Sequence, residues 1–457
     1  MSWLRELNAV VRELPAMQRK LLLGLTLAVM GSFAVPFFQI GQYSLLRGTD
    51  NTCYYFWLRS AMVDGDWDFA NDLEACNTLT DGYRAEMRKL PRTEVGRLPN
   101  KYGVGWALIS VPFYVVADTV VGAGRAVGMW DLERDGYNPV YQISLQIGHF
   151  LLGLAGLLLA WRCVRQWCGD PAAALWGVVL ILGASPQLYY LTMKLSLSHN
   201  AAFFAIALMT WACMEVPRNP GRVWPWVLAG VGWGLAVTLR FQLVVFGLLP
   251  ACIWFVQRRN VRPWKNAALA ALGWVAGALP LLLLQFYAWR VVYGRWFVFS
   301  YGAEGEGFNW AHPELLNVLF SPFHGLFYWH PFLLTGAAGF AYLVWQRRET
   351  LLLAGLFSIF CTIYVNASWW CWWFAGNSFG SRAFETVLLF FMAGLAHLLV
   401  RFTPCWRRIF FAAAVLACGW NFYVMALFYA SAIDRNAPVT WGEMVHAGAR
   451  MFTKDQR

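Results

Sequence analysis

The chain has 457 residues, of which 59% are hydrophobic and 13% charged, and its apolar residues come in blocks long enough to cross a bilayer. That composition excludes a water-soluble globular domain and a disordered chain. The formal net charge of +11 would suggest nucleic acid in a soluble protein, but the basic residues sit at the ends of apolar blocks. Anionic headgroups are their natural partner there, and no nucleic acid is expected.

In chain order, residues 1–20 set Leu4, Leu7, Val10, Val11 and Leu14 among Arg5, Glu6, Arg12 and Glu13, the pattern of an amphipathic helix on the cytoplasmic surface. Apolar stretches follow near 21–46, 143–162, 172–192, 198–215, 223–239, 241–257, 266–289, 323–345, 350–367, 384–400 and 409–431. Backbone groups in hydrocarbon must be satisfied within their own segment, so these are read as helices. The expected fold is all-α: a polytopic helical membrane protein of about eleven transmembrane helices, forming a single integral-membrane unit over 1–457. It would comprise the first loop at 47–140, core helices at 141–290 and C-terminal helices with external loops at 291–457.

Orientation follows from the basic residues. With the N-terminus inside, seventeen lie in cytoplasmic segments and five in short external loops, namely Lys194, Arg240, Arg290, Arg295 and Arg382. This positive-inside bias emerges only if the apolar stretch 103–124, which carries Pro112 and Asp118, does not cross. That stretch is therefore read as an interfacial or re-entrant helix. Residues 47–140 then form one long external loop holding thirteen carboxylates, among them Asp50, Asp64, Asp66 and Asp72. Most of these serve solvation. Asp50 differs because it stands at the mouth of a span, where hydration is partial and protonation can be tuned.

Cys53 and Cys76 share this loop, where an oxidising compartment would permit a disulfide; Cys163 and Cys168 are expected to be cytoplasmic and reduced. There is no nucleotide-binding glycine loop, which argues against ATP as the energy source.

The external segments collect candidate site residues. Asp50, Tyr54, Tyr55, Lys101 and Tyr102 come from the first loop, and Lys194, Ser198 and His199 from the second. Arg240 stands at a span's outer end. Glu304 and Glu306 lie on a glycine-rich loop, for which a plain flexible loop is the simpler reading. His324 and His330 follow within the next span, then Ser368-Trp369-Trp370-Cys371-Trp372-Trp373 and Asn377-Ser378-Phe379-Gly380-Ser381-Arg382. Arg382, Lys101 and Arg240 suit a phosphate, Asp50 can accept a hydroxyl proton, and Trp372 with its neighbours fits either an amphipathic ligand or an aromatic belt. The histidines fit helix-end packing better than metal ligation.

In their order, the acidic end of the first span, Ser60 with Asp64-Gly65-Asp66, Pro99-Asn100-Lys101-Tyr102-Gly103-Val104-Gly105, Pro112-Phe113-Tyr114, Ser321-Pro322-Phe323-His324-Gly325-Leu326-Phe327-Tyr328 and Ser378-Phe379-Gly380-Ser381-Arg382 resemble bacterial GT-C glycosyltransferases. The similarity is greatest to the protein-mannosyltransferase and aminoarabinose-transferase-like group, and covers most of 21–400.

The resemblance implies a multi-pass enzyme of the bacterial inner membrane with its active site facing the periplasm and juxtamembrane helices in the first loop. Its donor would be a polyprenyl-phosphate sugar, its acceptor a glycolipid, polysaccharide or protein, and Asp50 its catalytic base. Arg382, Lys101 and Arg240 would bind the donor phosphate, with Tyr54, Tyr55, Tyr102, His199, Glu304, Glu306, His324, Trp372 and Ser378 lining the substrate pocket. Many members carry Asp-Glu where this chain has Asp50-Asn51, which leaves the use of a divalent cation open. The alternatives are a transporter or flippase of lipid-linked saccharides, which usually carries ionisable groups at the bilayer midplane, and a non-catalytic envelope-assembly protein.

Overall fold

The computed structural model describes residues 2–39, 46, 48–76, 79–260, 264–303, 305–371 and 378–452. Among the described residues its regular elements are helices. In chain order the α-helices are α1 Ser2–Glu13, α2 Ala16–Ala34, α3 Thr49–Arg59, α4 Phe69–Ala75, α5 Asp81–Lys89, α6 Gly105–Ala126 and α7 Pro139–Cys168. Next come α8 Pro171–Gly183, α9 Gln187–Thr192, α10 His199–Glu215, α11 Trp224–Leu239, α12 Leu248–Asn260, α13 Trp264–Tyr293 and α14 Ser300–Ala303. The last are α15 Leu315–Phe320, α16 Leu326–Trp329, α17 Leu333–Arg347, α18 Thr350–Ser368, α19 Leu388–Arg401, α20 Pro404–Tyr429 and α21 Trp441–Phe452.

Among the described residues each expected span overlaps helix, and residues 40–45 of the first lie outside them. Eight helical stretches are long and apolar enough to cross a membrane: 16–38, 105–126, 139–168, 241–258, 266–293, 350–368, 382–401 and 404–429. The protein is thus a polytopic helical membrane protein. Two expected spans are interrupted. Ser185-Pro186 divides 172–192 into α8 and α9, since proline cannot donate to the helical ladder. The stretch 323–345 begins as a turn at His324, which has φ +63°, and becomes a long helix only at Leu333. His324 and His330 therefore precede that helix and are not part of it.

The chain divides into two compact units. One comprises 1–30, 157–189 and 308–457. Here α19 packs on α17 and α8, and glycines bring the backbones into contact: a Cβ on Gly394 would lie 2.1 Å from the Gly336 carbonyl oxygen. Without a hydrophobic driving force in lipid, such close approach is what lets van der Waals contact hold helices together. The amphipathic α1 belongs to this unit, with Val10 buried, Trp3 beneath the Arg162 guanidinium at 3.8 Å, and Glu6 paired with Arg165.

The other unit comprises 31–156 and 190–307. Its centre is α11, packed between α10 and α13. Gly230 and Gly277 allow that approach: a Cβ would lie 2.1 Å from the carbonyl oxygens of Trp274 and Val227 respectively. The first loop is built on this base. In α6, Trp106, Ser110, Tyr114, Ala117, Val121 and Gly124 are buried, while Val115, Val116 and Val120 are exposed.

Helix α3 is anchored at its far end by Arg59. Its Nη1 donates to Asp72 Oδ1 at 2.8 Å and to Asp64, and its Nε donates to the Asp135 carbonyl at 3.0 Å. The guanidinium also lies over the Tyr137 ring at 5.1 Å. Cys53 and Cys76 are both buried and are not bonded to each other.

Candidate active site

Gly48 has φ +101° and ψ 152°, a conformation that L side chains rarely adopt, and the chain then turns directly into α3. This places Asp50 in the first turn of α3, where the unsatisfied amides and the helix dipole favour a carboxylate. The Tyr102 hydroxyl donates to Asp50 Oδ1 at 2.6 Å. Burial first, and the Asp50 charge second, push the Tyr102 phenol well above its ordinary value, so Tyr102 stays a proton donor.

The segment carrying Lys101 and Tyr102 is pinned along its backbone. Asn100 Nδ2 donates to the Cys53 carbonyl at 2.8 Å, Ser300 Oγ to the Lys101 carbonyl at 2.7 Å, and Trp57 Nε1 to the Tyr102 carbonyl at 3.0 Å. The Val104 amide donates to Gln285 Oε1 at 2.9 Å. Gly103 and Gly105 press on the end of α11: a Cβ at Gly103 would lie 2.0 Å from the Thr238 carbonyl oxygen, and one at Gly105 2.5 Å from Thr238 Oγ1. Arg240 follows immediately as the C-cap of α11. The glycines of Lys101-Tyr102-Gly103-Val104-Gly105 thus set one cation-bearing segment against the end of the other.

Lys101 Nζ lies 2.6 Å from Glu306 Oε1, with both side chains largely buried. The same ammonium is 5.5 Å from the Tyr102 ring centroid and 5.8 Å from that of Tyr301. Arg240 Nη1 donates to His199 Nδ1 at 3.1 Å, and His199 packs on Tyr190. Tyr54 shares a hydrogen bond of 3.1 Å with Ser198 and packs against Tyr102 at 4.6 Å. Tyr301 is central to the group: burial raises its phenol first, then Tyr54, with Lys101 and Arg240 acting in the opposite sense.

Asp50, Tyr54, Lys101, Tyr102, His199, Arg240 and Glu306 therefore belong to one unit, while Tyr55 faces elsewhere. Fully buried on another face of α3, Tyr55 donates to the Gly136 carbonyl and meets Tyr137 edge-on, so it supports the packing of α3 instead of joining the Asp50 group.

His324, His330, Ser378 and Arg382 belong to the other unit. His324 and His330 are buried, Ser378 Oγ donates to the Gly380 carbonyl at 3.0 Å, and Gly380, at φ +56°, lies against His330. Phe379 stacks on Tyr189 at 4.8 Å, and Arg382 is half-buried. Arg47, Glu304, Trp372 and Asn377 lie outside the described residues.

Among the described residues, no group of three or more His, Cys, Asp or Glu side chains is placed to hold a metal ion. The arrangement offers a held carboxylate and two cations, chemistry suited to moving a proton beside an anionic group.

No family model and no curated protein sequence matches the chain. Solved structures do match. Over 95% of its length the chain is similar to ArnT from Cupriavidus metallidurans, solved in the apo state (TM-score 0.55, 15% identity, 69% of that chain covered) and bound to undecaprenyl phosphate (TM-score 0.52, 15% identity, 70% covered). It is also similar to the archaeal oligosaccharyltransferase AglB from Archaeoglobus fulgidus, solved with an inhibitory peptide and a dolichol-phosphate (TM-score 0.52, 15% identity, 94% of this chain covered). The chain spans 58% of the length of that oligosaccharyltransferase. The chain therefore shares the fold of these solved structures.

Proposed function

We propose that this chain is a glycosyltransferase of the bacterial inner membrane that moves a sugar from a polyprenyl-phosphate donor to an acceptor hydroxyl at the periplasmic face. The observation that carries the reading is Asp50, set in the first turn of α3, held by Tyr102 and grouped in one unit with Lys101 and Arg240. The fold adds support, because its solved neighbours include structures bound to undecaprenyl phosphate and dolichol-phosphate.

In the reaction Asp50 takes the acceptor hydroxyl proton as the acceptor oxygen bonds to the anomeric carbon. The bond from that carbon to the phosphate oxygen breaks, and its electron pair leaves with the polyprenyl phosphate. Phosphate is a good leaving group, so no general acid is needed. The protein's larger task is alignment and stabilisation of the growing negative charge, which falls to Lys101 and Arg240.

Purified wild type and Asp50→Asn, each in lipid with radiolabelled polyprenyl-phosphate sugars and a membrane extract as acceptor, test this. The variant is expected to keep donor binding and lose transfer by roughly 10²–10⁴-fold. Equal transfer by both removes Asp50 as the base, and donor binding with no transfer by either favours the transporter.

A further inference from the structure

We infer that Glu306 is the resting counter-ion of the donor-phosphate site, so that the donor phosphate displaces its carboxylate from Lys101 on binding and the pair re-forms as polyprenyl phosphate leaves. This rests on the reading of Lys101 as a phosphate ligand and adds Glu306 as the residue that sets affinity for the donor.

The geometry separates what is fixed from what can move. Lys101 does not depend on Glu306 for its place. Its carbonyl is held by Ser300, the chain just beyond it is wedged against Thr238 at Gly103, and its ammonium lies against the Tyr102 and Tyr301 rings. Cation–π contact of this kind attracts the ammonium to the ring faces independently of the Glu306 carboxylate.

Glu306, by contrast, sits between Gly305, at φ +84°, and Gly307, and a Cβ at either glycine would meet no atom within 4 Å. The segment is held by turn hydrogen bonds, from the Gly305 amide to the Gly302 carbonyl and from the Glu306 amide to the Tyr301 carbonyl, both 3.0 Å, and its two glycines give the backbone freedom to shift the carboxylate. Both partners are largely shielded from water, with side-chain exposures of 19% for Lys101 and 12% for Glu306. A phosphate entering beside the ammonium would face Glu306 at close range, where two anions repel strongly in a low-dielectric setting. Carboxylate and phosphate therefore exchange at Lys101.

The sign of a single substitution decides the matter. A displaced competitor weakens donor binding, so Glu306→Gln tightens it; a carboxylate that stayed beside the phosphate to hold Lys101 in place would weaken binding when removed. Undecaprenyl phosphate is the probe, titrated against wild type, Glu306→Gln, Lys101→Gln and the double variant in nanodiscs, each first shown to be monodisperse with an unchanged melting temperature. Glu306→Gln is expected to bind about tenfold more tightly, the scale of a charge-assisted hydrogen bond that no longer has to be broken.

Lys101→Gln is expected to bind more weakly, and Glu306→Gln to have no effect in that background. Equal or weaker binding by Glu306→Gln, with Lys101→Gln still impaired, overturns the exchange while leaving the phosphate site in place. No binding by wild type overturns the polyprenyl-phosphate reading and the exchange with it. Glu306→Ala serves as the second variant, with the same direction expected.

Discussion

Tyr102 shows how much of the proposed base rests on one hydroxyl. Its hydroxyl donates to the Asp50 carboxylate at 2.6 Å and so fixes the orientation of that carboxylate. Because burial holds the Tyr102 phenol well above its ordinary value, Tyr102 keeps the proton that makes this bond. Tyr102→Phe is therefore expected to lower kcat by about tenfold while leaving the KM for the donor little changed. An unchanged kcat with a lowered melting temperature would make Tyr102 a packing residue. Asp50 itself was legible in the sequence as an acid at the end of an apolar stretch. Tyr102 and Glu306 were also candidates, but their pairings were not legible, since 52 residues separate Tyr102 from Asp50 and 205 separate Glu306 from Lys101. Tyr54 and Tyr55 are neighbours about 100° apart around a helix, and composition alone cannot say which faces the site.

At the scale of elements, α3 is governed from both ends, by Gly48 at the first and by Arg59 with Asp64 and Asp72 at the last. Desolvation pushes the Asp72 carboxyl up to about 6, against the opposing pull of Arg59. A carboxyl whose folded value lies above its unfolded one stabilises the fold below the unfolded value, and that stabilisation is lost as pH rises through the folded value. Asp72→Asn cannot titrate. The melting temperature of wild type relative to Asp72→Asn is therefore expected to rise by a few degrees as pH falls from 7.5 to 5. A difference that stays constant, or falls, would mean that the ion pair with Arg59 outweighs the burial. Helices themselves were legible because hydropathy marks them. Their interruptions at Ser185-Pro186 and His324 depend on local backbone geometry that a run of apolar residues conceals.

For the whole molecule, the sequence made the class plain and left the sidedness to charge. Helix α6 is long and apolar enough to cross, yet counting it as a span would reverse the distribution of every later basic residue. Its exposed Val115, Val116 and Val120 fit a helix lying along the membrane surface as well as one within it. Alkaline phosphatase fused after position 98 and after position 136 separates the two. Activity at both sites is expected, with α6 remaining on the outer side; activity at the first alone would make α6 a crossing helix and invert the loops that follow. The two cation-bearing segments were recognisable in sequence only as separate motifs, because the packing of Gly103 and Gly105 on α11 brings together positions more than a hundred residues apart.

Under the proposed function, that glycine-mediated seam also bears on how the protein can diversify. With Lys101 and Arg240 mounted on one seam, the distance between their backbones is a property of the scaffold and survives changes in the loops around it. On that reading, new sugars or acceptors are accommodated by rewriting those loops, while the proposed site for the lipid carrier stays constant. Chimaeras that exchange the loops but keep Gly103, Gly105 and Thr238 would inherit the carrier and change the cargo.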